Sequence, residues 1–180
     1  MMKLRASRIS ASGACLAGML LVLIPPEQLA AQCGALPDMI LPSDGQEHDT
    51  FGISVALSAD LLMIGAEGDD DHVCGAAYMF RHNGTDWIEE QQLVPDDEDC
   101  DYFGGFGSVA VSGDLAVVAS LLAGGGFWDY GAAYVFRFDG SLWTQEQKLF
   151  SSEQTYNDIY FGMSVGVEGD TIILGAHWDT

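Results

Sequence analysis

Seven consecutive residues, Gly75-Ala76-Ala77-Tyr78-Met79-Phe80-Arg81, return as Gly131-Ala132-Ala133-Tyr134-Val135-Phe136-Arg137, an offset of 56 residues. Trp87 returns as Trp143 and Gln92-Leu93 as Lys148-Leu149 at the same offset. Upstream, Ser54-Val55-Ala56 recurs as Ser108-Val109-Ala110 and Ser164-Val165-Gly166, and Asp60 recurs as Asp114 and Asp170, at offsets of 54 and 56. A fixed period of this length is the signature of a repeat architecture, in which each unit buries its apolar face only against a neighbour.

One repeat reads as four strands. Ser54 to Ser58 alternates, and Ala59-Asp60 closes a tight turn that later copies make with Gly113-Asp114 and Gly169-Asp170. Leu61 to Gly65 is a continuous apolar run, which suits a strand buried on both faces. Gly75 to Arg81 is the third strand, and His82-Asn83-Gly84-Thr85 holds the strongest short-range hairpin dipeptide. Trp87 to Leu93 is polar, with Glu89, Glu90, Gln91 and Gln92, as an exposed outer strand protected from edge pairing should be. Four antiparallel strands grading from buried to exposed predict an all-β fold of β-propeller blades; a stacked β-solenoid is the competing architecture.

Phe51-Gly52-Ile53-Ser54-Val55-Ala56, Ile64-Gly65-Ala66 and Gly75-Ala76-Ala77-Tyr78-Met79-Phe80 together resemble the FG-GAP repeat. The resemblance implies the propeller of integrin alpha chains and of many bacterial secreted proteins. It runs from Phe51 onward and divides the chain into a first repeat at 51–102, a second at 103–160 and a partial third at 161–180, after an N-terminal segment at 32–50. The second copy departs locally. It reads Phe103-Gly104-Gly105-Phe106-Gly107 where one Phe-Gly is expected, and Val118-Ala119-Ser120 replaces Ile-Gly-Ala. The span from Gln32 holds about 2.7 blades, against the ~4–8 of closed propellers. The expectation is therefore an incomplete propeller, either a fragment of a longer protein or one of several chains that close a ring together.

Residues 1–31 have the layout of a secretory signal peptide. Lys3, Arg5 and Arg8 precede an apolar run from Ala14 to Ile24, Pro25-Pro26 breaks it, and Ala30-Ala31 offers a cleavage site. The run is about half of the ~20 residues a membrane-spanning helix needs, and no later stretch is longer. Gln32 rather than a small residue precedes Cys33, which argues against a lipoprotein. Cleavage would reduce 27 acidic residues to 26 and six basic ones to three, a net charge of −23. Such a field repels nucleic acids and anionic membranes. The expected location is secreted, periplasmic or cell-surface, with extracellular protein or carbohydrate as partner.

In an antiparallel blade the loops after the second and fourth strands emerge on one rim. In the first repeat these loops carry Asp69-Asp70-Asp71 and Asp96-Asp97-Glu98-Asp99-Cys100-Asp101. Cys74 and Cys100 sit in them, and the next repeat lacks both, which predicts a Cys74–Cys100 disulfide in an oxidising compartment; two free thiols are the alternative. Asp97, Asp99 and Asp101 supply three alternating carboxylates, the start of a calcium site. Yet Tyr102 stands where the turn glycine of a calcium loop belongs, so a solvated acidic loop is the competing reading. The calcium ligands that the resemblance implies lie between the first two strands, and here that connection is only Ala59-Asp60, so they do not transfer. Phe127, Trp128 and Tyr130 lie in the Gly-rich rim loop of the second repeat and do not recur, as expected of a partner-binding loop.

Gly162-Met163-Ser164-Val165-Gly166 matches a serine-nucleophile pattern, but Ser164 is a framework position shared with Ser54 and Ser108. The four histidines show no paired metal spacing. Asn83-Gly84-Thr85 is a formal glycosylation sequon whose turn role accounts for it. The expected function is a non-catalytic interaction or adhesion module. The alternatives are an accessory substrate-binding portion of a larger extracellular enzyme and a purely structural envelope protein.

Overall fold

The computed structural model describes residues 4–6, 38–68, 75–97, 102–105, 108–123, 130–152 and 160–176. The chain divides into two compact units. In the smaller, Leu4–Ile40, strand β1 (Leu4–Ala6) pairs antiparallel with β2 (Asp38–Ile40). β1 falls inside the segment read as a signal peptide, so cleavage after Ala31 would remove one member of this pair.

The larger unit, from Leu41 onward, is all-β. Its first blade runs β3 (Ser54–Ser58), β4 (Leu61–Ala66), β5 (Ala76–His82) and β6 (Trp87–Leu93), each antiparallel to the next. The second blade runs β7 (Val109–Ser112), β8 (Leu115–Ser120), β9 (Ala132–Phe138) and β10 (Trp143–Leu149) in the same order. Strands β11 (Ser164–Glu168) and β12 (Thr171–Gly175) repeat the first hairpin. Two four-stranded blades and the opening hairpin of a third thus follow one another, as an incomplete propeller requires.

The burial gradient follows composition. Every residue of β4 and β8 is buried, while β6 and β10 alternate towards solvent. Leu61, Met63, Ala77 and Met79 of the first blade form one core with Val109, Val111, Ala116, Val118, Tyr134 and Phe136 of the second. The opposite face of the second blade, Leu115, Val117, Ala119, Ala133 and Val135, packs against Val165, Val167, Ile172 and Leu174 of the third. Period-2 alternation gives the middle blade two apolar faces, so it is a core layer on both sides.

The irregular second copy resolves cleanly. Phe103 stacks edge-on against Tyr134 at 5.4 Å and Phe136 at 6.3 Å, as Phe51 does against Tyr78 at 5.5 Å and Phe80 at 6.3 Å. Gly104 N–H donates to the Ala119 carbonyl, as Gly52 does to Gly65 and Gly162 to Gly175. Phe103-Gly104 is therefore the structural counterpart of Phe51-Gly52, and the two surplus residues fall before Ser108.

Candidate interaction rim

The recurring polar residues are occupied by the fold, at both ends of each blade. At the hairpin end, Arg81 Nη1 donates to Asp60 at 3.2 Å and its Nε donates to Glu90. Arg137 repeats this with Asp114 at 3.2 Å and Glu146 at 3.3 Å, and reaches Asp170 of the third blade at 3.4 Å. Glu90 and Glu146 are the extra residues at β-bulges in β6 and β10, which re-aim their side chains towards the arginines. These carboxylates hold both guanidinium groups more firmly protonated than usual, the hydrogen bonds donated to Glu90 and Glu146 first among the causes. The recurrence of Asp60, Asp114 and Asp170 has its physical reason here.

At the other end, the segment that crosses into each blade is pinned to that blade. Tyr78 Oη donates to Asp44 Oδ1 at 3.0 Å, and Gln92 Nε2 donates to Asp44 Oδ2 at 3.1 Å. One blade on, Tyr134 Oη donates to Asp97 Oδ1 at 2.9 Å, and Lys148 Nζ reaches Asp97 Oδ2 at 3.0 Å. Lys148 also lies over the Tyr134 ring at 4.8 Å. Spacing alone did not pair these residues. The signal was present, because a tyrosine at a fixed strand position and an aspartate in the preceding crossover recur in both copies.

Asp97, read as a calcium ligand, thus has both oxygens engaged by Lys148 and Tyr134. Asp99 and Asp101 lie outside the described residues, as do Cys74 and Cys100, Phe127 and Trp128. Among the described residues no group of three His, Cys, Asp or Glu side chains is arranged to hold a metal ion. Tyr130 is half-buried, and its carbonyl accepts the Phe161 N–H, at the opening of the third blade, at 2.9 Å. Ser54 and Ser108 are buried and donate to the carbonyls of Gly104 and Gly105, both at 2.6 Å, while Ser164 opens β11. The serine pattern is framework. Trp143 is buried between the first two blades, where its main chain pairs with the Gln91 amide through two bonds of 2.8 Å.

Two buried side-chain atoms among the described residues are exceptions to this satisfaction, the Trp143 indole Nε1 and a carboxylate oxygen of Glu67. Glu67 begins the rim loop of the first blade, and its Oε2 is buried with no hydrogen-bond donor among the described residues. A Cβ on Gly105 would stand 2.5 Å from that oxygen, so the carboxyl lies against the Phe-Gly turn of the second blade. Burial raises its pKa.

No helix among the described residues is long and apolar enough to cross a membrane. No curated protein matches the chain. The family model described as FG-GAP repeat matches three times, over residues 38–80, 87–136 and 143–180. The second and third matches begin on the outer strands β6 and β10, at Trp87 and Trp143, and run on into the following blade, in the same frame as the crossover pins. With three matches spread over most of its length, and the same strand order and aromatic contacts in both four-stranded blades, the chain belongs to the FG-GAP repeat family.

Proposed function

We propose that this chain is a secreted or cell-surface interaction module, non-catalytic, that recognises extracellular protein or carbohydrate through its rim loops. One observation carries the reading. The recurring polar residues are engaged in holding blades and crossovers, whereas the acidic and aromatic side chains that do not recur fall in the rim loops. Scaffold and specificity are separated in this way where loops rest on a rigid framework. The family is typically extracellular, and the excess of acidic charge favours a neutral or basic partner over a polyanion.

The test is binding of the full chain to glycan arrays and to panels of extracellular polypeptides, with Trp128→Ala and Tyr130→Ala beside it. Loss of a saturable signal in both variants, with thermal unfolding unchanged, is the expected result. Retention of full affinity in both would remove the aromatic loop from the reading. Turnover of a bound glycan or peptide would overturn the non-catalytic assignment.

A further inference from the structure

The turn between β5 and β6 is built around one oxygen. Asn83 Oδ1 accepts the main-chain N–H groups of Thr85 and Asp86, both at 2.9 Å. The Thr85 hydroxyl lies 2.9 Å from the same oxygen and 2.8 Å from Asp86 Oδ2. The second blade makes the same turn with a carboxylate. Asp139 Oδ1 accepts from Ser141 N–H at 2.7 Å, from the Ser141 hydroxyl at 2.8 Å and from Leu142 N–H at 2.9 Å. Aspartate therefore serves the turn as well as asparagine does, and the amide nitrogen of Asn83 is surplus to it.

One contact of the first turn has no counterpart in the second. The Gly84 main-chain N–H donates to His82 Nδ1 at 2.8 Å. The equivalent of His82 is Phe138, which has no lone pair to offer. The His82 ring is held edge-on against Trp87, with centroids 5.1 Å apart. Gly84 has φ of +109°, and nothing lies within 4 Å of where its Cβ would be, so its nitrogen carries no neighbouring bulk.

We propose that Asn83 is a self-catalysed deamidation site in the folded protein, with His82 as general base and the Thr85 and Asp86 N–H groups as oxyanion donors. The Gly84 nitrogen attacks Asn83 Cγ, forming a five-membered ring, and its proton passes to His82 Nδ1. The negative charge that develops on Oδ1 falls where two main-chain donors already point. The Cγ–Nδ2 bond then breaks, and ammonia leaves with the proton that His82 returns. Water opens the resulting succinimide at one carbonyl or the other, giving aspartate or isoaspartate, with no change of oxidation state. The aspartate product needs no rearrangement, as Asp139 demonstrates. The isoaspartate product inserts a methylene into the main chain of an exposed hairpin.

The experiment follows the intact chain at neutral pH by peptide mass spectrometry and an isoaspartate methyltransferase assay, folded and in urea. His82→Phe places the residue of the second blade in the first and keeps a ring against Trp87. The expected result is conversion at Asn83 that is faster in the folded protein than in urea and about tenfold or more slower in His82→Phe. The reciprocal double variant, Phe138→His with Asp139→Asn, should convert at position 139, and it stands if His82→Phe fails to fold. Equal rates for wild type and His82→Phe, a folded rate below the unfolded one, or a glycan in place of an acid at Asn83 would each overturn the proposal.

Discussion

Tyr134 donates its phenol hydrogen to Asp97 at 2.9 Å across 37 residues of sequence, and Tyr78 does the same to Asp44 at 3.0 Å across 34. In both four-stranded blades a fully buried strand tyrosine reaches the segment that leads into that blade. The bond fixes where the crossover lies before it dives to the inner strand.

Tyr134→Phe should therefore cost about 1.5–3 kcal/mol, the range for a hydrogen bond to a charged acceptor. Denaturant unfolding reads this as a lower midpoint at unchanged slope. Combining it with Asp97→Asn should cost less than the sum of the two single changes, because they share one bond. Full additivity would mean that the contact carries no energy.

Ala59 occupies the first turn position of the β3–β4 hairpin with φ of +52°, where Gly113 and Gly169 stand at +59° and +54°. An L-residue with a Cβ is strained in that region by about 1–2 kcal/mol. Glycine is also more costly to order, which offsets part of the gain. Ala59→Gly should therefore stabilise by about 0.5–1 kcal/mol, seen as a raised thermal midpoint. A lowered midpoint would refute the strained turn.

Gly65 marks the closest approach of the first blade to the second. A Cβ there would lie 1.9 Å from the Gly104 carbonyl oxygen and 2.3 Å from Ser54 Oγ. Gly65→Ala should destabilise by about 4 kcal/mol or more, among the largest effects of single changes. The equivalent residue of the second blade is already Ala119, so Ala119→Gly should cost only about 1 kcal/mol by lost packing and added chain entropy. Comparable losses at the two sites would contradict the asymmetry between the blade interfaces.

Glu67 gives stability a dependence on pH. Burial raises its pKa in the folded chain, whereas the unfolded chain titrates near the ordinary carboxylate value. Between those two values the folded state binds more protons, so stability falls as pH rises through the window and stays lower above it. Glu67→Gln should remove that fall and stabilise the protein at neutral pH. Denaturant midpoints of both proteins, followed from about pH 4 to about pH 8, provide the check. Parallel curves would show that the carboxyl is paired.

Fold was legible in the sequence because propeller physics is periodic. Strands Ser54–Ser58 and Trp87–Leu93 fall where the alternation and the turn dipeptides placed them. The pairing of Tyr134 with Asp97 was not legible, because a crossover loop has no period to reveal which side chain it meets. Asp97 looked like one of a row of carboxylates, and only tertiary structure shows its oxygens facing Lys148 and Tyr134. Glu90 was read as part of a polar edge, but the bulge that turns it towards Arg81 is a one-residue slip that composition does not signal. The unpartnered oxygen of Glu67 follows from the glycine turn of a different blade, which its own repeat does not reveal.

The crossover pins also define a portable cassette. Residues 87–142 run from the first residue after one Asx-type hairpin to the last residue of the next, and both hairpins close with the same hydrogen bonds. A tandem duplicate of this segment would join Leu142 to Trp87 in place of the native Leu142-Trp143 junction, and every crossover would still find its tyrosine within the copy. Such a duplicate should gain strand signal in circular dichroism in proportion to its added length. Unequal recombination at the hairpins can therefore lengthen the gene blade by blade, each copy carrying its own crossover pin and needing only a glycine in place of Ala119 where it meets the Gly104 carbonyl of the next copy.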